Sequence, residues 1–201
     1  MAHSFRTIQG PSQGEYKDKG SKFIAFAFPV SNEEQIKLHL ETLRKKYHDA
    51  RHHCYAWRLN AEMDRFRSND DGEPAGSAGN PILGQIRSKQ LTNILVVVVR
   101  YFGGTLLGVS GLIKAYRSAT ADALEEAKII RMKVCNKWQL KFGYPQMNEV
   151  MKVIKENELE TENQQFDLEC KLTVSLWKKM EERLVERFRR IENCQVENLE
   201  P

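Results

Sequence analysis

The chain has 201 residues, 41% hydrophobic and 29% charged, with a net charge of +4. That length admits one large domain or two small ones, and the composition is that of an ordinary globular protein, not of a disordered or collagen-like chain. No apolar run reaches the roughly 18 residues that mark a membrane-spanning helix, so no membrane association is expected.

The charge is unevenly spread. Residues 1–134 carry 20 Lys and Arg against 14 Asp and Glu, and residues 135–201 carry 11 against 13. A basic N-terminal part is compatible with a polyanionic partner, although a solvated mixed surface accounts for it equally well. The four cysteines (Cys54, Cys135, Cys170, Cys194) have neither C-x-x-C nor paired metal spacing. They read as reduced thiols, with no metal and no cofactor expected. The first twenty residues lack the apolar core of a secretory signal, which makes the cytoplasm the expected location.

In chain order, residues 22–30 (KFIAFAFPV) are rich in Phe, Ile and Val and read as a strand. Residues 31–48 then open with Ser31 or Asn32 as a helix cap, followed by acids in the first turn. Ile36, Leu40, Leu43 and Tyr47 follow at helical spacing, and the last turn is basic. Residues 52–60 (HHCYAWRLN) alternate as a strand, and 68–81 (SNDDGEPAGSAGNP) have turn chemistry throughout, predicting a long loop. A short helix is expected near 81–89. Residues 93–102 (NILVVVVRYF) form a continuous apolar strand buried on both faces, and 109–127 form a helix with Leu112, Ala115, Tyr116, Ala119 and Ala123 on one side.

From about residue 134 the pattern changes to strand 134–144, helix 145–157, strand 158–166, strand 168–176, helix 177–190 and strand 194–199. That β-α-β-β-α-β order predicts a ferredoxin-like second domain. The boundary is expected between 130 and 136, giving domains 1–133 and 134–201.

The stretch VVRYFGGTLLGVSGLIKAYRSA, residues 98–119, joins a strand to a helix through glycines. Backbone N–H groups at a helix start, with no Cβ in the way, can approach an anion closely. Gly103 to Gly108 has the spacing of a P-loop, but Val109 and Ser110 stand where Lys and Ser/Thr are needed. There is no G-x-G-x-x-G either, so a nucleotide enzyme of those kinds is disfavoured.

The segments VVVVRYFGGTLLG, DDGEPAGSAGNPIL and KGSKFIA, taken together, closely resemble the YigZ/IMPACT family. The resemblance covers roughly residues 14–125, and the second domain resembles that of bacterial members. It implies an α+β protein. The N-terminal two-layer α/β domain would be similar to domain IV of elongation factor G, and the C-terminal domain to its fifth domain. Eukaryotic relatives modulate translational control by competing for a regulator of a stress-activated kinase.

Several residues are candidates for function. Arg100, at the end of a buried strand, must either contact phosphate beside the glycines or pair with Asp70, Asp71 or Glu73. Tyr101 and Phe102 would stack on bases or join the core. Lys114 and Arg117, three apart on a helix, share a face and would form a basic cluster with Arg100 and the amides of Gly103 and Gly104. His52 and His53 are adjacent on a strand and point to opposite faces, which counts against a shared metal site. The carboxylates of Asp70, Asp71 and Glu73 around Gly72 read first as a turn. The sequence therefore predicts a translation-linked binding protein that contacts RNA or the ribosome through Arg100, Tyr101, Gly103, Gly104, Lys114 and Arg117, with no catalytic residue. A module that sequesters a translational regulator is the second reading. The third is an enzyme acting on a phosphorylated substrate through the 70–73 carboxylates.

Overall fold

The computed structural model describes residues 3–167 and 169–199. The backbone divides into two units between Met132 and Lys133. The first contains β1 (Ser4–Ile8), β2 (Ser12–Asp18), β3 (Ser21–Pro29), α1 (Glu33–Lys46), β4 (His52–Leu59), β5 (Arg65–Asn69), α2 (Gly79–Ser88), β6 (Ile94–Tyr101) and α3 (Gly108–Glu125). β7 (Ile129–Lys133) follows and pairs with β1 in a two-stranded ribbon.

The main sheet has the order β2-β3-β6-β4-β5, with every neighbouring pair antiparallel. The apolar run of β6 sits at its centre, and helices cover both faces. Period-two alternation sends Ile24, Phe26, Trp57, Leu95, Val97 and Val99 toward Ile36 and Leu43 of α1. The alternate positions Phe23, Ala25, Cys54, Ala56, Val96 and Val98 meet Ile82 and Ile86 of α2 and Tyr116 and Ala119 of α3. Each fully buried aliphatic side chain here contributes about 1.5–3 kcal/mol, so the centre of the sheet anchors the unit. The α+β class holds, and α1 adds a third layer to the two expected.

Four strands of this unit carry little sequence signal. β2 and β5 lie at the sheet edges and β1 and β7 form the ribbon, so none has an apolar face on both sides. β5 takes the start of the expected 68–81 loop and α2 its end, leaving residues 70–78 as loop.

The second unit has β8 (Cys135–Phe142), a 3-10 turn (Tyr144–Gln146), α4 (Met147–Glu156), β9 (Thr161–Phe166), β10 (Cys170–Trp177), α5 (Glu181–Arg189) and β11 (Gln195–Asn198). Its antiparallel sheet order, β11-β8-β10-β9, is the 4-1-3-2 arrangement of the ferredoxin-like fold. Val150, Val153 and Ile154 of α4 and Leu184, Val185 and Phe188 of α5 pack on Leu140, Phe142, Leu172 and Val174. Leu168, expected to open the fourth element of this unit, lies outside the described residues.

Candidate functional site

Where β6 ends, the strand register lines up Phe23 of β3, Arg100 of β6 and His52 of β4 in one row across the sheet. Arg100 has the parity of Val96 and Val98, so its side chain faces α2 and α3 and cannot emerge at the strand end. It is 7% exposed and pairs at 2.7 Å with Glu73, itself only 3% exposed. The same Oε1 accepts the Tyr116 hydroxyl at 2.7 Å, and Tyr116 Oη lies 3.2 Å from Cys54 Sγ. The thiol in turn donates to the Asp70 carbonyl at 2.9 Å. The guanidinium also lies 5.5 Å from the Phe23 ring centre and 5.8 Å from that of Phe102. Its Nε is buried without an acceptor among the described residues. A buried charge is tolerable when paired and hydrogen-bonded, and this cluster provides both.

The loop above the row is held by its own acids. Asp70 O accepts from Glu73 N at 2.9 Å across Asp71 (φ +42) and Gly72 (φ +87). Positive φ at both central positions marks a type I′ turn, which Asp-Gly suits because Gly has no Cβ to clash. The Asp70 carboxylate accepts from Gly76 N, Ala78 N and Gly79 N, closing the loop and meeting the start of α2. Burial would raise its pKa, but the three N–H donors outweigh that and hold it below the ordinary carboxylate value. Asp71 accepts from His53 N at 2.7 Å and pairs with Arg44 of α1 at 3.0 Å, while its carbonyl meets His52 Nδ1 at 2.8 Å.

The two histidines do take opposite faces. His52 lies under the loop, and His53 is buried toward α1, where burial pushes its pKa down. Among the described residues, no group of three or more His, Cys, Asp or Glu is arranged to hold a metal ion.

Burial pushes the Cys54 thiol and the Tyr116 hydroxyl well above their ordinary pKa values, so both are neutral at physiological pH. A thiolate is the nucleophilic form of cysteine, and Cys54 does not supply one. The native protein is therefore expected to leave Cys54 and Cys170 unlabelled by a thiol reagent while exposed Cys135 reacts. Mass spectrometry of trypsin fragments would read this, and native-state labelling of Cys54 would show that the cluster opens.

The glycine segment lies at this same end of the sheet. Gly103 abuts the β2–β3 turn: a Cβ there would sit 1.9 Å from Gly20 C, and Gly103 N donates to Ser21 Oγ at 3.1 Å. Gly103 is thus required by close backbone approach. Phe102 just before it is 47% exposed and Leu106 past it 82% exposed, and α3 starts at Gly108 with no side-chain cap and no acid in its first turn. Lys114 and Arg117 are exposed on α3.

The structure divides the residues singled out in the sequence. Gly103, Gly104, Lys114 and Arg117 lie on exposed surface. Arg100 does not join them, because it is spent on Glu73, so its expected phosphate contact gives way to an ion pair. Tyr101 turns to the α1 face, where its hydroxyl donates to Asp49 at 2.8 Å. Asp70, Asp71, Gly72 and Glu73 form one lock over the row, joined by Cys54 and Tyr116. Those two read in sequence only as a scattered thiol and a core helix position.

Residues 19–124 match the Impact N-terminal domain family. The chain is 40% identical over 131 residues to the IMPACT family member YigZ of Escherichia coli, covering 64% of each chain. The Saccharomyces cerevisiae protein IMPACT homolog is 40% identical over 96 residues, 45% of this chain and 36% of its own. The chain thus spans less than two thirds of either relative. A crystal structure of a hypothetical protein matches it with TM-score 0.78 at 29% identity, over 100% of this chain and 99% of the other. With the matched region extending from the β2–β3 turn through the glycine segment and most of α3, the chain belongs to the IMPACT family.

Proposed function

We propose that the protein is a cytoplasmic, translation-linked regulator whose N-terminal unit contacts RNA or the ribosome at the start of α3. The observation that carries this reading is electrostatic. Residues 101–121, which run from the end of β6 through most of α3, contain Lys114 and Arg117 and no Asp or Glu. Within that stretch α3 begins uncapped, and its exposed Lys114 and Arg117 follow six and nine residues later, about 1.7 and 2.5 turns into the helix. Amides and cations together favour backbone phosphate, and exposed Phe102 offers a face for a base. Family membership supports the translational part, through the role expected from eukaryotic members.

A second reading, a module that sequesters a translational regulator, draws on the exposed apolar side chains Phe102, Leu106 and Val109 beside α3. The enzymatic reading ranks last, since the three loop carboxylates are engaged by backbone amides, Arg44, Arg100 and Tyr116.

Titrating single-stranded RNA at several salt concentrations tests the proposal. Removing one cation from the phosphate backbone flattens the log–log salt slope by about 0.7, so Lys114→Ala with Arg117→Ala is expected to lower it by about 1.4. Affinity should fall similarly across RNA sequences. A double variant with the parent's affinity and slope would make these cations a solvated helix face.

A further inference from the structure

At the other end of the main sheet, Arg6 of β1, Arg58 of β4, Arg87 of α2 and Arg131 of β7 line a cleft of about 460 Å³. Arg58 is in register with Ile94 at the start of β6, whereas His52 is in register with Arg100 near its end. The eight residues of β6 place this cleft roughly 20 Å from the loops at the start of α3.

No Asp or Glu lines the cleft, and none of the four arginines has an ion-pair partner among the described residues. Two of them are nevertheless fixed in place. Arg58 Nε donates to the carbonyl of Met63 at 2.9 Å, and Met63 itself is held at φ +62 in the β4–β5 connection. The Arg87 guanidinium lies 4.3 Å from the centre of the Phe66 ring. Each anchor uses one edge or face of a guanidinium with five donors and leaves the remaining N–H groups available.

Like charges converging from four separate elements repel one another unless an anion joins them. Burial and the neighbouring charge of Arg87 both push the Arg58 pKa down, as expected for a cation crowded by another. We propose that this cleft binds a small oligophosphate, a ligand carrying two or more linked phosphate groups such as a nucleoside diphosphate or triphosphate. Planar guanidinium forks match phosphate oxygens in bidentate geometry. The volume lies in the range of small-molecule pockets, about 300–1,000 Å³. Phe5 and Met63 add apolar lining for an attached group. Convergence on one concave spot suits a compact polyanion better than an extended nucleic-acid backbone, which needs a stripe of cations. The site is separate from the surface proposed to contact RNA and does not depend on it.

Calorimetric titration of the full chain with inorganic tripolyphosphate tests the assignment, with NMR of the arginine side chains locating the site. Saturable binding is expected, with shifts at Arg58. Arg87→Gln with Arg131→Gln should weaken it by about tenfold or more, as loss of charge-assisted hydrogen bonds implies. Arg131→Gln alone, at an exposed position that anchors nothing, should weaken it in the same direction. Lys114→Ala with Arg117→Ala should leave it within about twofold, because those side chains lie at the far end of the sheet. Three results would overturn the proposal: no saturable binding of tripolyphosphate, equal weakening by the Lys114 and Arg117 variant, or binding of an oligoribonucleotide at Arg58 without any binding of free oligophosphate.

Discussion

Replacing Glu73 with alanine is expected to destabilise the N-terminal unit by about 3–5 kcal/mol, the usual cost of breaking a buried ion pair from one side. The change leaves the Arg100 guanidinium buried without its counter-charge and takes the acceptor from the Tyr116 hydroxyl. Arg100 is 7% exposed, with the Phe23 and Phe102 rings 5.5 and 5.8 Å from its guanidinium, so its charge is largely screened from water. Removing both charges at once has a different outcome. Arg100→Met with Glu73→Leu eliminates the unpaired charge and leaves only the Tyr116 hydroxyl without its acceptor, so it should cost clearly less than the single change. Urea unfolding of the parent, the single and the double variant would measure both effects. A single variant that loses less than about 1 kcal/mol would mean that the pair is solvated and that Arg100 is available to the surface.

Asp70→Ala is the second large effect, at about 2–3 kcal/mol, from the missing charge-assisted bonds to three backbone amides. Gly76 N, Ala78 N and Gly79 N would lose their acceptor together, and the lock over Arg100 would loosen. The pH dependence has a definite sign. The Asp70 pKa is lower in the folded chain than its ordinary value of 3.8. Its contribution is therefore fully present above the unfolded value and is lost as pH falls through the folded one. The parent should weaken progressively below about pH 4, and Asp70→Ala should lack that part of the acid loss. Matching acid profiles for the two proteins would show that the carboxylate does not hold the loop.

Residues with strong period or turn chemistry were legible in the sequence. β6 announced itself by an unbroken apolar run, α1 by a cap at Ser31 or Asn32 (Asn32 is the one in place) and flanking charges, and the second unit by the spacing of its elements. β2 and β5 were not, because an edge strand meets the core with one face and carries polar residues such as Gln13, Glu15, Arg65 and Arg67 on the other. At the site, Arg100 pairing with one of three carboxylates was foreseeable, and Glu73 is the one in place. Tyr116 and Cys54 were hidden because their polar atoms lie on otherwise apolar faces, where periodicity reads them as core. Their bonds to Glu73 and the Asp70 carbonyl span 43 and 16 residues, a separation that local pattern does not encode. Arg6, Arg58, Arg87 and Arg131 were invisible as a group for the same reason, since four separate elements bring them together.

The proposed contact with RNA or the ribosome is tested most directly by ultraviolet crosslinking of the protein in cells, followed by purification and mapping of crosslinked peptides. RNA or ribosomal particles should co-purify, with crosslinks at Phe102 and along the start of α3, and Lys114→Ala with Arg117→Ala should reduce their yield. Recovery of a protein partner alone, or RNA crosslinks confined to other surfaces and unchanged in that variant, would contradict it.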